Sequence, residues 1–215
     1  MGLKSDLIHY SNLCGQSGFV KAYDGNLSVR TKKNYILSTA SKTNKKKIKE
    51  TDLVKCDIKG KKLSGKRYIS TELKLHLFIY SMRKDVNAVI HTHPIYITSY
   101  AAAGKSLPAN LLPEIYLMFG EVPLAKYASP STEEVPASIE PYVMEHNAVI
   151  LANHGLVAYG KSLEEAYLIT EKLEQYANIC FNAKVLGALK PIAKPQLKKL
   201  DELRDTNYKS YFKNK

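Results

Sequence analysis

The chain has 215 residues and carries 32 Lys and Arg against 20 Asp and Glu, a formal charge of +12. That length supports one sizeable core, and with no run near the roughly 20 apolar residues of a membrane span and no secretory h-region, a soluble, cytoplasmic protein without a membrane partner is expected. Three cysteines, Cys14, Cys56 and Cys180, are too few and too scattered for a disulfide framework or a cysteine zinc site.

In chain order, Leu3 to Cys14 places apolar residues at helical spacing before Gly15 and Gly18, so an amphipathic helix opens the domain. Short extended runs follow at Leu27 to Arg30, Tyr35 to Ser38 and Leu53 to Ile58, separated by lysine-rich turns that suit antiparallel hairpins. A helix capped by Ser70 or Thr71 should bury Leu73, Leu77 and Tyr80. The β-branched run Val86 to Ile90 reads as a buried strand, followed by a helix from Pro94 to Ala103. Ser131-Thr132-Glu133-Glu134 reads as a capping box for a helix bent by Pro141. Ala148 to Ala152 is another buried strand. Ser162 to Glu165 caps a long helix to about Leu186, with Ala166, Ile169, Leu173, Tyr176 and Cys180 on one stripe. The architecture expected is an α/β domain over 1–189, a mainly antiparallel sheet with helices on its faces, followed by a basic tail over 190–215.

The excess charge alone would suit a nucleic-acid binder. Its lysines fall at Lys45 to Lys49, Lys59 to Lys62 and Lys190 to Lys199, in segments that read as turns, loops and tail, with no helix-turn-helix, zinc finger or RNA-binding signature beside them. They read as solvated faces, and no nucleic-acid partner is expected. A positive potential also suits a small anionic substrate such as a sugar phosphate.

The chemistry-bearing residues begin with His91-Thr92-His93. Residues i and i+2 of an extended segment project the same way, so the pair can hold one ion, and His154 arrives at the end of the second strand run. Three neutral imidazoles leave a divalent zinc or similar ion an open position, as catalytic sites do. His9, His76 and His146 lie in patterns that look helical and read as surface or satisfied core residues. Upstream, Gly25-Asn26-Leu27-Ser28 offers a glycine turn with an amide, Thr39-Ala40-Ser41-Lys42 two hydroxyls and a cation, and Ser70-Thr71 a helix N-terminus; together they suit a phosphate. Glu72 follows directly, either as a carboxylate complementing the helix dipole or as a base beside the ion.

The order Gly-Asn-Leu-Ser (25–28), Thr-x-Ser (39–41), Ser-Thr-Glu (70–72), His-Thr-His-Pro (91–94), Leu-Pro-Glu (112–114) and Asn-His-Gly (153–155) resembles the class II aldolase/adducin family, over roughly Leu7 to Ala183. The resemblance implies a three-layer α/β/α fold around a nine-stranded, largely antiparallel sheet, in a fourfold-symmetric homotetramer with zinc near subunit interfaces. It also implies one Zn2+ per subunit on His91, His93 and His154, with Glu72 as acid/base. Asn26, Thr39, Ser41, Ser70 and Thr71 match phosphate-binding positions, and Gly25 shapes the first loop. The separation of the last two histidines (154 − 93 = 61) is similar to that in aldolases of the family, whereas its epimerases carry a longer insert and an aspartate at the Glu72 position.

Two departures stand out. Ala40 and Lys42 replace a usual proline and glycine, which removes easy access to positive φ while lysine can supply charge to the same phosphate. Glu114 stands where an aldolase of the family has a catalytic tyrosine, and resembles the dehydratase branch. The expectation is a zinc-dependent aldolase cleaving a ketose 1-phosphate, nominally L-fuculose 1-phosphate, to dihydroxyacetone phosphate and an aldehyde. Glu114 would handle the aldehyde-side oxygen from a neighbouring subunit. A methylthioribulose 1-phosphate dehydratase using Glu114 is the principal alternative, and an adducin-like scaffold the non-enzymatic one, which the intact histidines and Glu72 oppose. Tyr208 or Tyr211 either closes over the substrate or belongs to a frayed tail.

Overall fold

The computed structural model describes residues 2–207; Tyr208 and Tyr211 lie outside the described residues. In chain order the elements are α1 (Leu3–Gln16), β1 (Asn26–Arg30), β2 (Ile36–Thr39), β3 (Leu53–Cys56), β4 (Lys62–Ser64), α2 (Leu73–Met82), β5 (Ala88–Thr92), α3 (Ile95–Ala102), α4 (Pro113–Phe119), β6 (Leu124–Ala125), α5 (Glu134–Val143), β7 (Ala148–Leu151), β8 (Gly155–Gly160), α6 (Leu163–Val185) and α7 (Lys194–Asn207). The strands form one sheet in the order β4-β3-β2-β1-β5-β8-β7-β6. Every pairing is antiparallel except β6 with β7.

Strand alternation explains why both faces are covered. Val89, Val149 and Val157 point to one side and pack with Leu73, Ile79 and Tyr80 of α2 and Ile139 of α5. Their neighbours Ala88 and Ile90 point to the other, under Leu7 of α1 and Ala166 of α6, and Ile150 and Leu156 meet Leu173 and Tyr176 of α6. Helices on both faces require strands apolar on both faces, which is why β5 and β7 read as continuous hydrophobic runs. The result is the expected α/β/α sandwich with a mainly antiparallel sheet. It has eight strands rather than nine among the described residues: Ile69 makes only an isolated antiparallel bridge to Ala40, and Ser41 N–H donates to Tyr68 O at 2.9 Å.

The α6 stripe is as expected: Ala166, Leu173 and Cys180 are wholly inaccessible, and Ser162 Oγ accepts the Glu165 N–H at 3.1 Å. Other local expectations shift. α2 begins at Leu73, later than Ser70 or Thr71 would cap it, and Ser70 Oγ accepts the Glu72 N–H at 3.3 Å; Leu77 is only partly buried. The box expected at Ser131 moves downstream: α5 starts at Glu134, whose N–H reaches Thr132 Oγ1 and whose carboxylate accepts the Ser129 N–H. Ser131 instead takes φ +67°. α5 ends two residues after Pro141, which cannot donate to the preceding turn. His146 lies beyond α5 rather than in a helix.

The segment read as a basic tail contains α7. Tyr116 OH on α4 donates to Asp201 Oδ1 at 2.8 Å, and the Arg204 guanidinium lies 5.5 Å from the Tyr116 ring centroid. Its polar composition hid this helix, whose Asp201 and Arg204 meet the Tyr116 side chain. Among the described residues no helix is long and apolar enough to cross a membrane.

Candidate metal centre

The centre is built where β1, β5 and the β7–β8 turn meet. Asn26 of β1 is the register partner of His91 on β5. By strand parity Asn26, Ser28, Val89 and His91 all face α2. His93 lies one residue past the end of β5, and its N–H donates to Phe19 O at 2.9 Å. His154 occupies the turn between β7 and β8, next to Asn153 at φ +57°.

Ligand nitrogens of His91, His93 and His154 all lie within 4.8 Å of one another. The Nε2 atoms of His91 and His93 stand 3.1 Å apart. Two metal–imidazole bonds of about 2.0–2.1 Å at a tetrahedral angle need nitrogens about 3.3 Å apart, so this spacing fits one shared ion. His91 Nδ1 is 2.9 Å from Leu156 O, a bond that places its proton on Nδ1 and leaves Nε2 as ligand. Asp24 Oδ2 stands 3.8 Å behind His93 Nδ1. Burial is the main cause that pushes His91 down to about 4 and His93 to about 3, so both are neutral and able to coordinate at neutral pH. The three histidines can hold a divalent metal.

Glu72, immediately before α2, reaches into this group. Its Oε1 is 3.2 Å from His154 Nε2 and 3.7 Å from His91 Nε2, and its Oε2 accepts Asn26 Nδ2–H at 2.8 Å. Burial alone would raise its carboxyl. The hydrogen bond from His154 and the positive charge that the imidazoles take up in acid outweigh it and hold the group well below the usual carboxylate range. An ionised carboxylate therefore stands at the open side of the imidazoles, close enough to move a proton at a ligand or to join the metal's shell.

Two glycines make this packing possible. A Cβ on Gly155 would lie 2.4 Å from Thr92 O and 2.7 Å from His93 Cδ2; one on Gly25, at φ +67°, would lie 2.7 Å from His91 O. Gly155→Ala should therefore push His93 out of place. Metal affinity is expected to fall at least about tenfold and stability by about 1–3 kcal/mol; unchanged metal affinity by competitive chelation would show that the close approach does not matter.

The phosphate clusters are placed unevenly. Thr39 is wholly buried and its Oγ1 accepts the Leu27 N–H at 3.2 Å, so its hydroxyl serves the sheet. Ser41 is partly exposed and Lys42 exposed on the same loop. Lys42 adopts φ +53° even without the glycine, a strain of about 1 kcal/mol. Thr71 Oγ1 lies 2.7 Å from Ser131 Oγ, a partner that the sequence did not signal except as a capping serine. Glu114 is exposed in the first turn of α4, and among the described residues no hydrogen bond or ion pair ties it to the histidines.

His76, one turn along α2 from Glu72, is fully buried with Nδ1 2.7 Å from Ser28 Oγ, and Ser28 Oγ is 2.9 Å from Tyr80 OH. Burial depresses its pKa from 6.5 to about 3. The unfolded chain thus takes up a proton below about 6.5 that the folded chain refuses until about 3. His76 leaves stability intact above 6.5 and lowers it progressively as pH falls from 6.5 toward 3, by a few kcal/mol. Urea unfolding at pH 7 and pH 4.5 should show a shallower acid loss in His76→Gln than in the native chain; equal slopes would contradict this.

Residues 5–181 match the family described as Class II Aldolase and Adducin N-terminal domain. The chain belongs to the class II aldolase and adducin family. An L-fuculose phosphate aldolase of Methanococcus maripaludis is 32% identical over 183 residues, 85% of this chain and 98% of the relative. A 5-deoxy-D-ribulose 1-phosphate aldolase of Bacillus thuringiensis is 28% identical, over 92% of each. A solved L-fuculose 1-phosphate aldolase superposes with TM-score 0.85 at 32% identity, covering 94% of this chain and 96% of that one. The His91, His93 and His154 group thus belongs to a metal-dependent family fold.

Proposed function

We propose that the protein is a zinc-dependent aldolase that reversibly cleaves a ketose 1-phosphate, nominally L-fuculose 1-phosphate, to dihydroxyacetone phosphate and an aldehyde. The observation that carries this reading is the Glu72 carboxylate, fixed by Asn26 and aimed at His154 and His91. Imidazole ligands suit zinc. When bound, the ion would act as a Lewis acid on the ketone and neighbouring hydroxyl oxygens of the sugar, where negative charge develops.

The chain's own groups do the rest. In cleavage the C4 hydroxyl loses its proton, the C3–C4 bond breaks, C4 becomes the aldehyde and the electron pair stays with C3, where Glu72 delivers the proton. In condensation Glu72 removes that proton from the hydroxymethyl carbon of dihydroxyacetone phosphate. Asn26 holds Oε2 of the carboxylate and so leaves Oε1 toward the histidines, where the sugar would lie. The phosphate would lie against Gly25 and Asn26, Ser41 and Lys42, and Ser70 and Thr71, with Thr39 bracing the loop from below. Glu114, exposed and unattached to the histidines of its own chain, would serve the C4 oxygen from a neighbouring subunit of a homotetramer. A dehydratase working through Glu114 would leave Glu72 only the role of a carboxylate in or beside the metal's shell.

A panel of ketose 1-phosphates incubated with the zinc-loaded protein and coupled to detection of dihydroxyacetone phosphate tests the reading. Release of dihydroxyacetone phosphate from at least one sugar is expected. A dehydrated diketone without dihydroxyacetone phosphate would sink it in favour of a dehydratase.

A further inference from the structure

Lys45 opens the lysine-rich segment that the sequence presents as a solvated face, yet it is 2% exposed while Lys46 and Lys47 beside it are exposed. Its Nζ donates to Thr43 O at 2.9 Å and to Tyr23 O at 3.2 Å. Those carbonyls belong to two different loops: Tyr23 precedes Asp24-Gly25-Asn26, and Thr43 follows Ser41-Lys42. Thr43 Oγ1 further ties its loop to Ala40 O at 2.8 Å.

Two neutral carbonyls do not account for a charge in this position. An ammonium has three donors, and a neutral donor would satisfy two carbonyls without the desolvation that a buried cation suffers. Among the described residues no carboxylate forms an ion pair with Nζ; Asp24 and Glu72 act on it only through their fields. A buried cation with no ion pair among the described residues, at the junction of two loops that already present an amide, a hydroxyl and glycine backbone, is complementary to an anion bound between them. Burial lowers its pKa to about 8, which still leaves it mostly charged at neutral pH.

We propose that Lys45 is a positioning residue for the phosphate site: its buried ammonium ties together the loops that precede Asn26 and follow Ser41, and its unneutralised charge is the internal counter-charge of the phosphate they hold. This rests on the sugar-phosphate reading above. It assigns a role to a residue outside every motif of the family resemblance.

Calorimetric titration of the zinc-loaded, full-length protein with inorganic phosphate at fixed ionic strength tests it, with metal content measured alongside. Lys45→Met should weaken phosphate binding about tenfold or more at unchanged metal content, while Lys46→Met leaves binding as in the native chain. Lys45→Gln, which can still donate to both carbonyls but is neutral, should be weakened as well; full phosphate affinity in that variant would overturn the counter-charge role. Native protein that binds phosphate, with Lys45→Met binding it equally, overturns the assignment of Lys45 and leaves the sugar-phosphate reading standing. Native protein that binds no phosphate overturns both. If neither Lys45 variant folds, the Lys45 Nζ resonance of the native protein decides: it should shift on adding phosphate, and an unmoved signal refutes the proposal.

Discussion

Glu72→Gln is expected to lower aldol cleavage by about a thousandfold or more while metal content stays at the native level. The amide keeps the length of the side chain and can still accept the Asn26 Nδ2–H that now holds Glu72 Oε2 at 2.8 Å. What it cannot do is take up and return a proton at C3. Its neutral head also removes the anion that His154 and His91 face at 3.2 and 3.7 Å; His154, which hydrogen-bonds Glu72 in the metal-free site, would be held by the ion once metal is bound, so the ligands should stay in place. His91 is oriented by Leu156 O and His93 by the Phe19 carbonyl on its backbone. Dihydroxyacetone phosphate release and elemental analysis on the same sample separate the two effects. Activity within tenfold of native would remove Glu72 from the proton transfer.

His93→Ala should abolish metal retention. Loss of an outer partner of a metal ligand already costs about 10–100-fold in affinity, so loss of one of three ligands should cost at least about a hundredfold. His93 is the better choice than His91 for this test. His91 is wholly buried on the central strand β5, and truncating it leaves a cavity. His93, with a side chain 24% exposed just beyond the strand, can be removed with less damage to the core. The native chain should unfold at a higher temperature with zinc than with chelator, and the variant at the same temperature in both. A full equivalent of tightly held metal in His93→Ala would mean that the three histidines are not the ligand set.

The legible parts of the molecule are those governed by local periodicity. His91 and His93 share a face because strand parity is fixed at two residues, and the α6 stripe follows from 3.6 residues per turn. Both patterns carry their geometry in the chain itself. Contacts set by strand register were hidden. The Asn26 to Glu72 bond exists because β1 pairs with β5 so that Asn26 meets His91, and no local pattern encodes that pairing. Ser131 has the sequence context of a helix cap, but the chain turns through a positive φ there and presents its hydroxyl to Thr71. Lys45 was lost in a lysine run whose composition says solvent; only Ile48, buried three residues later, hinted that one face of that turn points inward. In α7 the composition misled in the other direction, since a segment whose polarity says solvated tail meets Tyr116 of α4 through Asp201 and Arg204.

In the proposed aldolase Glu72, beside the three histidines, moves a proton on the hydroxymethyl carbon of dihydroxyacetone phosphate. That half-reaction needs no aldehyde and so does not depend on which sugar is the substrate. Zinc-loaded protein incubated with dihydroxyacetone phosphate in D2O should incorporate one deuterium at that carbon, followed by proton NMR, and the exchange should vanish with chelator and in Glu72→Gln. Metal-replete protein that binds dihydroxyacetone phosphate but leaves its hydroxymethyl protons unexchanged would rule out proton transfer by Glu72 and with it the proposed aldolase.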